Sequence, residues 1–534
     1  MIRQIIKQNW LIFLLLAAAV ILVYANSLTN DFVSDDVMGI LKNEKIGEFS
    51  WSLNFPLTFQ WAATYHLFGK NPIPFRTENI LFHLANAWLV FILLFLLTQK
   101  KSVALLTALI FSVHPILTES VTWLSGGIYA KYTFFVLLAL LFYINFRIVP
   151  HNIPHSSALK PTLKRKILLI SLSLLSFLTA LTFSEKAMIF PGIIFIYEIA
   201  FGSLKKHWLK LTPYFLISAG WFAVNFFKLG QRAASLEQDF YQSPERAHPL
   251  IQIPISISYY LQLIFWPEKL SLYQTEMFFS SWEYWLRLGI TGLLLAAIIF
   301  LFIRIIIKKA SVLERHIFFW LSFFIIVLLP TMLAFGLAWI VAERYVYLAS
   351  LGIIASFVLL WQILNEKFYE TKKMFWIVGI LIVLALGART VTRNNDWKNQ
   401  DTLWLSTVKV APSGHVIHNN LGDMYGRWQQ YDKSIAEYKT AIAIQPNYAD
   451  AMHNLANTYL EINKVEEAIY WYSQAIKFGP HLWQSYQNLG AIYYQLGELE
   501  KAEELFARAV EINPSDENLR KNLEIIRSQK TLKH

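Results

Sequence analysis

Apolar runs of 17 to 25 residues, separated by short polar links, fill the chain up to about residue 391, and a 34-residue recurrence takes over after residue 411. At 1.5 Å of helical rise per residue, runs of that length match the ~30 Å hydrocarbon layer of a bilayer. The pattern predicts eleven spans, near 10–28, 77–98, 102–121, 128–147, 167–184, 187–203, 209–228, 284–307, 316–340, 343–364 and 374–391. One further apolar run, Ile251 to Trp266, is short, holds Pro254 and ends at Pro267. A full crossing there would move Arg304, Lys308, Lys309 and Arg315 away from the side of the other basic loops, so it reads as re-entrant or interfacial. Val23-Tyr24-Ala25 resembles a signal-peptidase site, but the apolar stretch before it is longer than the usual h-region and many spans follow.

The tail is a repeat array. Pro412, Pro446, Pro480 and Pro514 share the 34-residue period, as do Tyr425, Tyr459 and Tyr493, and Ala441, Ala475 and Ala509. This is the tetratricopeptide signature of paired helices. Gly422, Ala456 and Gly490 let the two helices of a repeat approach, while each proline ends the second helix. The expected organisation is a membrane domain over 1–392 and a repeat domain over 393–534, with repeats near 414–447, 448–481 and 482–515 and a polar capping helix over 516–529. The fold class is all-α: a polytopic helical domain followed by an α-solenoid.

Composition agrees with this reading. With 55% hydrophobic and 16% charged residues and a mean hydropathy of +0.40, the chain is too apolar for an ordinary soluble protein. The net charge of +11 does not point to nucleic acid, because its lysines and arginines cluster between apolar runs, as in Lys100-Lys101, Lys164-Arg165-Lys166, Lys205-Lys206 and Lys308-Lys309. The basic N-terminus, with Arg3 and Lys7, is expected in the cytoplasm, and eleven spans then put the tail on the outer, periplasmic or lumenal, side. There is no cysteine, which excludes disulfides, thiolate nucleophiles and Cys-ligated metals.

Four charged motifs fall on the outer side of that topology. Asp35 and Asp36 follow the first span, and His114 and Glu119 lie near the second outer link, with Lys131 beyond them; Glu185-Lys186 links spans five and six, and Glu343-Arg344 links spans nine and ten. Charges beside apolar spans are costly unless paired or functional, and four outer turns carrying them suggest one polar site. Each also has a structural reading: a solvated loop with Asp as a helix cap, a kink cap for His114, interfacial anchors for the Glu-Lys and Glu-Arg pairs. Asp35, Asp36, His114 and Glu119 could bind a divalent metal, yet their spacing matches no ligand motif, and no metal is assigned.

These residues carry a resemblance. Phe32-Val33-Ser34-Asp35-Asp36, His114-Pro115-Ile116-Leu117-Thr118-Glu119, Ser184-Glu185-Lys186, Glu343-Arg344-Tyr345-Val346-Tyr347 and Asn395-Asp396-Trp397, in that order, resemble the transmembrane and tetratricopeptide repeat-containing proteins. The membrane half of that family is similar to protein O-mannosyltransferases and other GT-C glycosyltransferases. The resemblance implies a polyprenyl- or dolichyl-phosphate sugar donor, usually mannose, and inverting transfer to a Ser or Thr hydroxyl of a polypeptide acceptor. It implies Asp35 or Asp36 as general base and Lys186, Arg344 and Lys131 at the donor phosphate, with His114, Glu119, Glu185 and Glu343 in support. The chain departs from the family at Ser125-Gly126-Gly127-Ile128-Tyr129-Ala130-Lys131, where an Arg and an Asp usually follow the first Gly.

Asn420, Asn454 and Asn488 recur at one repeat position and resemble the asparagine ladder of the O-GlcNAc transferase repeats, which holds a peptide backbone. Helix-packing asparagine is the alternative. The competing function is a non-catalytic, membrane-anchored scaffold in which the repeats recruit a partner protein.

Overall fold

The structure is a computed structural model that describes residues 2–48, 55–147, 162–240, 249–274, 279–332, 341–368 and 372–533. Among these residues every regular element is helical. The described residues up to Leu403 form one compact unit and those from Trp404 onward a second.

The first unit begins with α1 (Ile2–Gln8), α2 (Trp10–Tyr24), α3 (Phe55–Phe68), α4 (Pro72–Thr98), α5 (Lys101–Val113), α6 (Thr118–Thr122), α7 (Ile128–Arg147) and α8 (Leu163–Phe183). It continues with α9 (Phe190–Ala200), α10 (Leu204–Phe240), α11 (Pro249–Phe265), α12 (Ser281–Ile306), α13 (Val312–Met332), α14 (Ser350–Phe368) and α15 (Lys372–Asp396). Seven of the expected spans, those carried by α2, α4, α7, α8, α12, α13 and α15, are helices long and apolar enough to cross a membrane. α5 and α6 pass the same test only together, as a pair bent by 53° at His114-Pro115 that forms either a broken eighth span or a re-entrant loop. That break follows from proline, which removes a donor and disfavours the helical conformation in the residue before it. His114 is extended, with ψ 125°, and its side chain caps the next turn by accepting the Ile116 N–H.

The span expected at 187–203 is shorter in the structure. Glu185–Ile189 form a 3₁₀ turn and α9 has only 11 residues, starting beside Pro191. Residues 333–340, the end of the span expected at 316–340, lie outside the described residues. The run read as re-entrant or interfacial is α11, a 17-residue helix that leans on the first turns of α12. Gln262 accepts from Arg287 at 2.7 Å, and the Pro254 carbonyl accepts from Thr291 at 2.5 Å.

α16 (Gln400–Val410) bridges the boundary of the two units. The second unit holds α17 (His415–Arg427) with α18 (Tyr431–Ile444), α19 (Ala449–Glu461) with α20 (Val465–Phe478), α21 (Trp483–Gln495) with α22 (Leu499–Ile512), and α23 (Glu517–Lys533). The small column does what its spacing implies: a Cβ on Gly422 would lie 2.6 Å from the Tyr438 ring, and one on Gly490 2.8 Å from the Phe506 ring. Tyr438, Leu455, Tyr459, Tyr472 and Leu489 fill the core, and α23 covers the end of the array with Leu519, Leu523 and Ile526.

One polar contact in the array makes its stability depend on pH. His418 Nδ1 lies 2.6 Å from Glu437 Oε2, and its Nε2 lies 2.8 Å from the Pro412 carbonyl. Burial lowers the imidazole pKa, but the Glu437 carboxylate and the Pro412 carbonyl outweigh it, so the net shift is upward. A group whose pKa is raised by folding contributes stability that is complete below its unfolded value of ~6.5 and is lost as pH rises through the folded value. Hydrogen exchange of α17 and α18, corrected for intrinsic rates, should therefore show more protection at pH 6 than at pH 8. His418→Gln should remove that difference; a difference surviving the substitution would assign it to another group.

Candidate active site

The turns that carry these motifs converge because a buried guanidinium and a row of asparagines hold them. Arg76 on α4 is fully buried and donates to the carbonyls of Thr122 (2.8 Å), Leu28 (3.1 Å), Asn30 (2.6 Å) and Asp31 (3.1 Å). The end of α15 closes the same region. Asn394 donates to the Val23 carbonyl and to Asn26, accepts from Thr122 through its side chain, and accepts from Asn30 through its backbone carbonyl. Trp397 stacks on Trp123 at 5.8 Å, and the Asp31 N–H donates to the Lys398 carbonyl. Residues 393–403 therefore belong with the membrane unit, past the boundary expected at 392.

Asp35 and Asp36 sit at the tip of this loop and differ sharply. Asp36 is fully buried: Oδ1 accepts from the backbone N–H and hydroxyl of Ser125 at 2.8 and 2.6 Å, and Oδ2 from the Val33 N–H at 3.4 Å. Burial pushes its carboxyl up to about 6 against the opposing pull of Ser125. Asp35 is exposed and lies within Coulombic range of Tyr273, a phenol that also feels Arg344 and Glu119. The turn that leads into the two acids is strained, because Ser34 adopts φ 53°, a region that a non-glycine residue enters at a cost of about 1–3 kcal/mol. The Ser34 N–H is held by Gln400 at 3.1 Å.

The departure segment acts as the anvil for this loop. A Cβ on Gly127 would lie 2.0 Å from Asn79 Oδ1, so only glycine lets α4 approach the turn whose Ser125 holds Asp36.

Two of the three expected phosphate-binding cations face the site, and one does not. Arg344 is ion-paired with the fully buried Glu119, which also accepts the Arg344 N–H at 2.8 Å, and its guanidinium lies over the rings of Trp123 and Tyr345 at 5.6 and 5.1 Å. Lys186 Nζ donates to the Tyr129 hydroxyl at 3.0 Å and lies over the Tyr129 and Tyr345 rings at 4.9 and 4.6 Å, beside the half-buried Glu185. The two cations thus share Tyr345. Lys131, by contrast, is buried and bound to Glu78 at 3.1 Å, so the phosphate contact expected of it is replaced by an internal ion pair.

Two supporting residues are structural. His114 Nε2 lies 2.9 Å from the Ile264 carbonyl, pinning α11 to the α5–α6 break. Glu343 pairs with Arg393 at 3.0 Å, both fully buried, while Arg393 also binds Asp396 at 3.0 Å. Burial pushes the Glu343 carboxyl upward and Arg393 opposes it. Among the described residues no group of three or more His, Asp or Glu side chains is placed to hold a metal.

In the repeat unit the three asparagines do not form a continuous free ladder. Asn420 donates to the Val416 carbonyl, Asn454 to Asn419 at 3.0 Å, and Asn488 to Asn457 and Tyr472 at 3.0 and 3.2 Å. Sequence reading missed Arg76, Arg393, Glu78, Tyr129, Tyr345 and Tyr273. For Arg76 and Glu78 the signal was available as charges at the head of an apolar span; for the tyrosines there was none, since aromatic residues are common at membrane interfaces.

These features define a polytopic helical membrane protein whose interhelical turns carry carboxylates and cations, joined in sequence to a tetratricopeptide solenoid. The Tetratricopeptide repeat family matches residues 483–516, and the TPR repeat family matches 422–463 and 456–497. Over most of its length the chain is similar to Protein O-mannosyl-transferase F38B6.6 of Caenorhabditis elegans, with 24% identity over 82% of this chain and 63% of that protein. It is 22% identical to Protein O-mannosyl-transferase TMTC3 of Mus musculus over 81% of this chain and 51% of that protein, and 24% identical to Protein O-mannosyl-transferase TMTC1 of Homo sapiens over 82% and 56%. The chain thus spans about half to two thirds of the length of these curated relatives. Among solved structures, the crystal structure of MamA protein is 20% identical, covering 27% of this chain and 78% of that one, with a TM-score of 0.23. Over most of its length the chain is thus similar to transmembrane and tetratricopeptide repeat-containing proteins that carry the name protein O-mannosyl-transferase.

The Glu343–Arg393 pair is the most exacting contact of the site. Removing one partner of a buried ion pair strands the other charge and typically costs 3–5 kcal/mol, whereas replacing both with apolar groups is often neutral. Arg393→Met should therefore lower the chemical-unfolding midpoint of the detergent-solubilised protein by about that free energy, and Arg393→Met with Glu343→Met should recover most of it. A double variant as unstable as the single one would locate the cost elsewhere.

Proposed function

We propose that this protein is an integral-membrane glycosyltransferase that moves a sugar, mannose, from a polyprenyl- or dolichyl-phosphate donor to a Ser or Thr hydroxyl of a polypeptide. The observation that carries the reading is the contrast between the two acids: Asp36 is buried and bonded to Ser125 and Val33, while Asp35 stands exposed after a strained turn, within Coulombic range of Tyr273, a phenol that also feels Arg344 and Glu119. Asp35 is the general base, and Asp36 positions its loop. The acceptor hydroxyl gives its proton to Asp35 as its oxygen bonds to the anomeric carbon, and the lipid phosphate leaves with the electrons of the broken C–O bond, inverting the configuration.

The leaving phosphate requires cations. Glu119 engages Arg344 through one guanidinium nitrogen, and a guanidinium carries five N–H donors, so several remain for phosphate oxygens. Lys186, with three donors and one bonded to Tyr129, is the second cation. Lys131 takes no part. The N-terminus faces the cytoplasm and the repeats lie on the outer side, where they hold the acceptor polypeptide through Asn420, Asn454 and Asn488. The support for this reading of the repeats is their common 34-residue phase.

General-base catalysis is typically worth ~10²- to 10⁴-fold. Asp35→Asn should lower sugar transfer to peptide by roughly that factor at equal protein level, with lipid-phosphate binding retained. Asp36→Asn should act mainly by lowering the amount of folded protein. Wild-type turnover in Asp35→Asn would remove the base and favour the scaffold function.

Replacing Asn420, Asn454 and Asn488 together with Ala should raise the acceptor KM for a long polypeptide while leaving kcat for a saturating short peptide nearly unchanged. Unchanged kinetics on the long acceptor would leave all three as packing residues.

A further inference from the structure

A second charged cluster lies at the far end of α7. The helix starts beside the Ser125 turn and runs 20 residues to Arg147, ~30 Å away, so this cluster sits at the opposite pole of the membrane unit from Asp35. Its centre is Glu198 near the end of α9, fully buried, which pairs with Arg147 and accepts from the Tyr143 hydroxyl at 2.8 Å and the Ser203 N–H at 3.2 Å. His207 Nδ1 stands 3.0 Å from the Arg147 guanidinium and 2.9 Å from the Ser203 carbonyl.

The charges here do not balance. Arg147, Lys166 and Glu198 lie within Coulombic range of Lys210, and among the described residues in that range the one carboxylate, Glu198, is already paired with Arg147. Lys210 and Lys166 are exposed, and Lys210 Nζ lies 5.2 Å from the centre of the Phe146 ring. Trp208, 57% exposed, is on the same turn as His207 and Lys210. An exposed tryptophan beside basic residues at the end of apolar helices marks the headgroup level of a bilayer, and basic pockets between membrane helices are suited to anionic lipid headgroups.

We propose that this pole is a binding site for the phosphate headgroup of an anionic phospholipid. Lys166 and Lys210 contact the phosphate, Arg147 stays locked to Glu198 and leaves their charge uncompensated, and Trp208 lies along the lipid's glycerol region. Such a lipid would tie α7, α8 and α10 together at the end remote from the proposed transfer site, and its binding is independent of whether the protein transfers sugar.

The test is native mass spectrometry of the full-length protein in detergent, titrated with dioctanoyl phosphatidylglycerol, dioctanoyl phosphatidylcholine or inorganic phosphate. Wild type should retain phosphatidylglycerol at least ~10-fold more than phosphatidylcholine, and Lys166→Gln with Lys210→Gln should remove most of that preference. Both lysines are exposed, so the thermal unfolding midpoint of the variant should match wild type. Equal retention of the two lipids, an unchanged preference in the variant, or displacement of phosphatidylglycerol by millimolar inorganic phosphate would each overturn the assignment.

Discussion

Burying charge in a low-dielectric interior is tolerable only when every charge has a partner, and the end of the membrane unit that carries Asp35 is organised by that constraint. Arg76 is neutralised by no carboxylate in direct contact and is instead solvated by four backbone carbonyls. Arg393 is held between Glu343 and Asp396, Arg344 by Glu119, and Lys131 by Glu78. Apart from the local Arg393–Asp396 contact, each pair joins segments far apart in sequence, so satisfying the charges and assembling the loops are the same event. The site inherits its precision from this network.

The same requirement divides the candidate residues by role. A side chain that already satisfies its charge internally is part of the frame, as Lys131, Glu343 and Asp36 are. One that stays exposed or keeps donors to spare is available to a ligand, as Asp35, Lys186 and Arg344 are. The contrast between Asp35 and Asp36 shows how adjacent residues take opposite roles once one of them turns inward. The positive φ at Ser34 is the local cost of presenting them so.

The fold was legible where a period or a length carried it. The 34-residue columns placed α17 to α23 closely, and seven spans were readable from apolar length alone. The region around 187–203 was overread, because apolar content cannot show that Glu185–Ile189 form a 3₁₀ turn before Pro191. The site was half legible. Sequence indicated which acids and bases lie near outer turns, but pairing is a tertiary property: nothing near Lys131 in sequence announces Glu78 on α4, and nothing near Glu343 announces Arg393. The asparagine column was visible as a repeat, whereas its internal bonds to Asn419, Asn457 and Tyr472 depend on the stacking of neighbouring repeats.

Arg76 also bears on how this loop can change over evolutionary time. Its four acceptors are main-chain oxygens, three of them in the stretch from Leu28 to Asp31, and a carbonyl presents the same oxygen whatever side chain it carries. As far as the guanidinium is concerned, the identities of those loop residues are free to drift while the path of their backbone is not. Insertions or deletions between Leu28 and Asp31 should be purged far more strictly than substitutions, so the loop keeps its length even as its letters diverge.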